Sequence, residues 1–200
     1  MITPSYEDLY EVVEKHFLDN GEKGLERWNH TLGVIESSTE LVLKYNGTSE
    51  MIEKAKIASL CHDYAKFLSI DDFKKLAFKY HLDEEFNPIY RVIYHGYLGY
   101  LKVKEDLNVN DEEILNAIKY HTTGNVNMTF LEKVVYIADF IEKGRVGKIF
   151  EDLRKVAFIN LDEAVYLEAK NTYEYLQTSP YPIFGLTVDC YNYYKEKLGK

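Results

Sequence analysis

His62 and Asp63 stand side by side in this chain, with His30 well upstream and Asp139 well downstream. An imidazole beside a carboxylate offers nitrogen and oxygen donors that suit Fe, Mn, Zn or Mg rather than thiolate-loving ions. Neighbours on a helix point about 100° apart, so both reach one ion only near a helix end or bend. The chain supplies such an end, because Tyr64-Ala65-Lys66-Phe67 soon gives way to a new helix start at Ser69. If His30 and Asp139 converge there, the ion has four protein ligands and room for water. Asp139 lies within Val134-Val135-Tyr136-Ile137-Ala138-Asp139-Phe140-Ile141, where burying it unpaired would cost on the order of several kcal/mol. A salt bridge would satisfy it as well as a metal.

Two further imidazoles accompany the pair. His95 lies in Tyr94-His95-Gly96, and His121 ends a helical stretch in His121-Thr122-Thr123-Gly124. The helix dipole favours a histidine in a last turn with no ligand present, so His121 also has a plain structural reading. His30 taken alone reads as a residue opening the Leu32 to Tyr45 helix with a local hydrogen bond. Arg27, Lys66, Lys143 and Arg145 lie near these positions. Lys143 reads as solvated surface charge. Lys66, one turn past His62-Asp63, and Arg145, two turns past Asp139, can point into the same mouth. His16 and His81 have polar neighbours and are expected at the surface. Cys61 is expected to pack as a small apolar side chain.

The elements that must position these groups read as helices. Asn110 with Glu113, Thr129 with Glu132, and Asn160 with Glu163 each place an N-cap before an acid at the third position. Ser69 with Asp72 is a weaker version, and Thr3-Pro4 puts proline at a first helical position. Leu32, Ile35, Thr39 and Val42 form one apolar stripe, and Val165, Ala169, Tyr173 and Leu176 another. Gly124, Gly144 and Gly147 read as stops. Only Ile183 to Val188 hints at an extended piece. The periodicity predicts an all-α protein of about eight to ten helices.

Two hundred residues, 46% of them hydrophobic, suffice for one compact domain, and no composition shift marks a boundary, so residues 1–200 are expected to form a single domain. No apolar run reaches the length of a membrane span, and the N-terminus lacks a signal-peptide pattern. Two cysteines make no disulfide framework, which points to a reducing cytoplasm. A net charge of −9 argues against nucleic-acid or anionic-membrane partners. An anionic small molecule must then be met locally, by a metal or a few placed cations.

The order His30, His62-Asp63, Asp139 resembles the HD superfamily of metal-dependent phosphohydrolases. Longer blocks narrow the likeness: Arg27-Trp28-Asn29-His30, His62-Asp63-Tyr64-Ala65-Lys66, His95-Gly96, Ala117-Ile118-Lys119-Tyr120-His121-Thr122, Leu131-Glu132-Lys133 and Tyr136-Ile137-Ala138-Asp139-Phe140-Ile141. Together they resemble the HD-type symmetrical bis(5′-nucleosyl)-tetraphosphatases, the bacterial diadenosine tetraphosphate hydrolases, from about Tyr6 to Tyr194. Tyr100 departs from the family, which usually carries a small residue there.

The resemblance implies a compact HD-domain helical bundle that hydrolyses diadenosine tetraphosphate to two ADP. It implies an iron site, with Mn, Mg or another divalent ion as alternatives and one or two ions bound. His30, His62, Asp63 and Asp139 would hold the metal. His95 and His121 would meet phosphate or a second ion, and Asp63, Lys66, His95 and His121 would form the catalytic set. Arg27, Lys66, Thr122 and Arg145 would bind the polyphosphate, and Pro182, Ile183, Phe184, Gly185, Leu186 and Thr187 would line the nucleoside pocket. A metal lowers the pKa of water from about 15.7 toward ~7, which makes the nucleophile. The expected partner is a small-molecule nucleotide substrate, and the eighteen tyrosines are compatible with either a homodimer interface or an aromatic helical core. The alternatives are an HD phosphohydrolase for another nucleotide, a diiron oxygenase on the same scaffold, or a non-catalytic nucleotide sensor.

Overall fold

Start and stop signals divide residues 3–200, which the computed structural model describes, into eleven α-helices and no strand. In chain order they are α1 (Tyr6–Leu18), α2 (Gly21–Lys44), α3 (Ser49–Cys61), α4 (Ile70–Lys79), α5 (Tyr94–Tyr97) and α6 (Gly99–Leu107). These are followed by α7 (Glu112–Tyr120), α8 (Phe130–Ile141), α9 (Lys148–Ala157), α10 (Leu161–Thr178) and α11 (Gly185–Lys197). Two 3₁₀ segments, Asp83–Glu85 and Pro88–Ile93, connect α4 to α5. The all-α expectation holds, with one helix more than the range foreseen. No helix among the described residues is long and apolar enough to cross a membrane.

Caps account for most of the boundaries. Thr129 and Glu132 form a reciprocal capping box at α8, as do Ser69 and Asp72 at α4, which is stronger than its sequence suggested. Asn160 caps α10 through the Glu163 amide. Two expectations shift by a residue or two. Asp111, not Asn110, caps α7 by accepting from the amides of Glu113 and Ile114. Ser5, not Thr3, caps α1 in a box with Asp8, so Pro4 precedes the helix. Gly147 precedes α9 as its N-cap rather than ending a helix. The Ile183 to Val188 stretch is extended only up to Phe184, since α11 begins at Gly185.

The long helix α2 packs on α1, α3 and α8; α7 lies against α3 and α8, and α10 closes over α8, α9 and α11. Their inward faces build one large core that includes Phe17, Leu41, Leu60, Ile118, Leu131 and Ile137. The α2 stripe is rotated from the expected one: Val34, Ile35, Leu41 and Val42 are buried, whereas Leu32 is exposed. A second cluster of Phe73, Leu76, Tyr94, Leu98 and Leu101 seats α4 on α5 and α6. Between the two clusters run the residues after α3, Ala65 in one and Tyr64 in the other. The His62-Asp63 corner is thus held from both sides. His16 helps to hold it: its ring stacks on Tyr64 at 4.1 Å and its Nε2 meets the Tyr64 carbonyl at 2.9 Å. This replaces the surface role expected for His16, while His81 is exposed as expected. Cys61 and Cys190 are both free and buried.

Candidate metal centre

Five helices and the turns that end them bring the titratable residues together. His62 is the C-cap of α3 and His121 the C-cap of α7, so each side chain leaves its helix where the backbone turns away. His95 lies in the short helix α5, and Asp139 in the last turn of α8. His30 sits in the middle of α2, not at a helix start as its sequence suggested. Ligand atoms of His30, His62 and Asp63 fall within 4.8 Å of one another, as do those of His62, His121 and Asp139, and those of Asp63, His95 and His121. The three groups share members, so six residues form one continuous cluster.

A repeated hydrogen bond fixes which nitrogens face inward. Nδ1 of His62 meets the Ser59 carbonyl at 2.6 Å, Nδ1 of His95 the Val92 carbonyl at 2.9 Å, and Nδ1 of His121 the Ile118 carbonyl at 2.7 Å. A carbonyl oxygen only accepts, so each Nδ1 carries the proton and donates it. In the neutral ring each Nε2 is then a bare lone pair turned to the centre. Gly96 allows the His95 and His121 segments to approach, because a Cβ there would stand 3.0 Å from the His121 ring.

Such an arrangement is unfavourable with nothing in the middle. His30 Nε2 lies 3.0 Å from Asp139 Oδ1, and His62 Nε2 lies 3.5 Å from Asp63 Oδ2. Neither nitrogen has a hydrogen-bond partner, nor does Asp63 Oδ1, and these are three of the five such buried side-chain atoms among the described residues. Lone pairs facing lone pairs at this range ask for a cation between them. The donor set, imidazole nitrogen and carboxylate oxygen without sulfur, fits a divalent transition metal.

The charges in the cluster are coupled: burial opposes protonation of His62, yet Asp63 and Asp139 beside it raise the ring above its ordinary value. Burial opposes ionisation of Asp63, yet His62 and Lys66 override it and hold the carboxyl well below the usual range. Burial likewise opposes ionisation of Asp139, and His30, His62 and His121, with Arg145 beyond them, outweigh it. Burial, reinforced by Lys66, holds His95 well below the ordinary imidazole value. Burial and His62 lower His121 to about 4. Both rings are therefore neutral and able to donate a lone pair.

Basic residues line the rim. Arg27 Nη1 donates to Asp63 Oδ2 at 2.7 Å, and Arg145 Nη2 donates to Asp139 Oδ1 at 2.9 Å. Lys66 Nζ lies 2.9 Å from His95 Nε2 and 3.3 Å from Asp63 Oδ1. Thr122 Oγ1 reaches His95 Nε2 at 3.1 Å and His121 Nε2 at 3.0 Å. Lys143 stays outside, paired with Glu36 and Glu40. In the Pro182 to Thr187 stretch, Phe184 packs edge-on against Tyr90 and Tyr97, on the segment that carries His95, and Thr187 is buried.

Sequence reasoning missed Glu142. Its Oε1 lies 3.3 Å from His30 Nδ1 and its Oε2 accepts from the Gly144 amide at 2.6 Å, with the side chain buried. Gly33 makes room for it, since a Cβ there would stand 2.5 Å from Oε2. The signal was present: an acid directly after the C-terminus of an apolar helix opposes the dipole, as Asp63 does. Glutamine at 142 offers one acceptor where two donors call for two. Glu142→Gln is therefore expected to weaken binding of Mn(II) about 10- to 100-fold by calorimetry, in line with other partners of metal-bound histidines. Unchanged affinity would count against this role.

The sequence pattern of the HD domain family matches residues 27–144, a span that contains all six cluster residues. The chain belongs to the HD domain family. Its relatives include a protein of Bacillus subtilis named symmetrical bis(5′-nucleosyl)-tetraphosphatase, 35% identical over 84% of this chain and 88% of that protein. A protein of the same name from Staphylococcus aureus is 34% identical over 84% of this chain and 86% of its own length. A crystal structure from Clostridium acetobutylicum, described as an HD superfamily hydrolase involved in NAD metabolism, superposes with a TM-score of 0.84 at 33% identity, covering 94% of this chain and 97% of that one. The HD-domain likeness drawn from the motif blocks thus holds across nearly the whole chain.

Proposed function

We propose that this protein hydrolyses dinucleoside tetraphosphates with a divalent metal ion, converting diadenosine tetraphosphate and water to two ADP. The observation that carries this reading is the set of inward-facing lone pairs on His30, His62 and Asp63 with no hydrogen-bond partner, rimmed by Arg27, Lys66 and Arg145. The names of the relatives supply the substrate class. His30, His62, Asp63 and Asp139 hold the ion, and we assign iron, with Mn or Mg as substitutes. His95 and His121 serve phosphate or a second ion. The whole chain acts as one domain, working in the cytoplasm as a homodimer.

When bound, such an ion supplies a nucleophile at neutral pH and a Lewis-acid pull on a phosphoryl oxygen. The chain's own groups do the rest. Asp63 Oδ1 has no hydrogen-bond partner within the protein, so it accepts a hydrogen bond from the attacking water. As the new P–O bond forms, a bridging P–O bond between the two central phosphates breaks and ADP departs. Lys66, 3.3 Å from Asp63 Oδ1, and Arg145 offset the charge that builds on the phosphoryl oxygens. ADP leaves readily, which reduces the demand for a strong acid. Neutral His95 and Thr122 lie within hydrogen-bond reach of the same centre.

The test is incubation of the purified protein with diadenosine tetraphosphate and Mn(II) or Fe(II), with chromatographic separation of products. ADP alone is expected. AMP with ATP, or no turnover, would refute the reading. Lys66→Ala is expected to lower turnover about 100-fold or more while metal content stays at the wild-type level. Loss of metal in that variant would give Lys66 a different role.

A further inference from the structure

Two cavities open onto the histidine and aspartate cluster. One, of about 480 Å³, reaches His30 and is lined by Lys23, Arg27, Lys66, Phe67 and Arg145. The other, of about 630 Å³, reaches His95 and is lined by Lys66, Ile70, Phe73 and Arg91. Each volume falls in the range of small-molecule pockets, roughly 300–1,000 Å³. Lys66 lines both. Each cavity presents cations, which suit phosphates, beside apolar surface for a planar base: the Phe67 ring in the first, and Leu68, Ile70 and Val92 in the second.

Their charge differs in detail. Glu26 and Glu142 share the lining of the His30 cavity with its four cations, whereas no carboxylate lines the His95 cavity. In a chain of net charge −9, two adjoining cavities with basic linings are a local exception. His30 belongs to the end of the cluster that holds Asp139, and His95 to the end that holds His121. The two cavities therefore reach different members of the cluster, His30 and His95, and meet at Lys66.

We propose that the two halves of the substrate occupy these two cavities, one nucleoside in each, with the polyphosphate laid across the cluster beside Lys66. The assignment rests on the function proposed above and accounts for its symmetry. A site with one cavity would fix one nucleoside and leave the other in solvent, so the phosphate presented would depend on that single anchor. With an anchor at each end, the middle of the phosphate chain is the part that crosses the cluster. Breaking the central anhydride linkage leaves one ADP in each cavity.

Calorimetric titration of the Mn(II)-loaded full-length protein with ADP tests this. Two ADP per chain are expected. Arg91→Ala and Lys23→Ala, both at exposed positions that carry no core packing, should each raise the dissociation constant of one site about tenfold and leave the other unchanged. One ADP per chain in the wild-type protein, or two sites indifferent to both substitutions, would overturn the assignment. Cleavage of diadenosine tetraphosphate by the wild-type protein is scored separately, so an active enzyme with a single ADP site would refute the two cavities and spare the proposed reaction.

Discussion

Replacing Asp63 by alanine is expected to reduce hydrolysis to background and to lower bound metal, while the far-ultraviolet circular dichroism remains helical. Asp63 is 2% exposed and touches more of the site than any other single side chain. Its Oδ2 accepts from Arg27, and its Oδ1 lies 3.2 Å from His95 Nε2 and 3.8 Å from His121 Nε2. Alanine removes a ligand and strands the Arg27 guanidinium. Breaking a fully buried pair costs about 3–5 kcal/mol, and because Arg27 is 30% exposed the loss should be about 2 kcal/mol. Asp63→Asn keeps the volume and one acceptor, so it should fold better and remain inactive. Metal analysis with product chromatography checks both variants. Wild-type activity in either would remove the case for this centre.

Chelation of the metal should have an effect of similar size. His30 Nε2 and Asp139 Oδ1 lie 3.0 Å apart, a nitrogen and an oxygen donor close enough to share one cation. Free metal at a thousandfold excess over its dissociation constant stabilises a folded protein by about 4 kcal/mol. For a chain of this size that corresponds to a rise in Tm of about 10 °C. Calorimetry before and after chelation, then after adding Fe(II) or Mn(II) without oxygen, is expected to show the loss and recovery of this increment together with turnover. A Tm and a rate both unmoved by chelation would exclude a metal at this site.

What could be seen in the sequence depended on whether the controlling interaction was local. Asp63 stood out because an acid at a helix C-terminus opposes the dipole, and Asp139 because its neighbours are apolar. Capping boxes at Ser69 and Thr129 were legible because cap and acid lie three residues apart. His30 was placed at a helix start because the apolar stripe begins at Leu32, whereas α2 begins at Gly21 and its first turns are held by packing on α1. Asp111 displaced Asn110 as cap because its carboxylate reaches two amides. Glu142 and His16 act through partners 112 and 48 residues away, His30 and Tyr64, and no local pattern records such pairs. The two cavities belong to the packing of α2, α4 and the segments around them, which periodicity does not describe.

Three imidazoles of the cluster take their orientation from main-chain oxygens three positions earlier in their own segments. Main-chain atoms are the same whatever residue occupies a site. Residues 59, 92 and 118 can therefore change identity without releasing the rings, and the surrounding walls can be rebuilt for a differently shaped nucleotide while the reactive core keeps its protonation pattern. Inheritance of the chemistry is separated from inheritance of selectivity, one carried by the course of the backbone and the other by replaceable side chains.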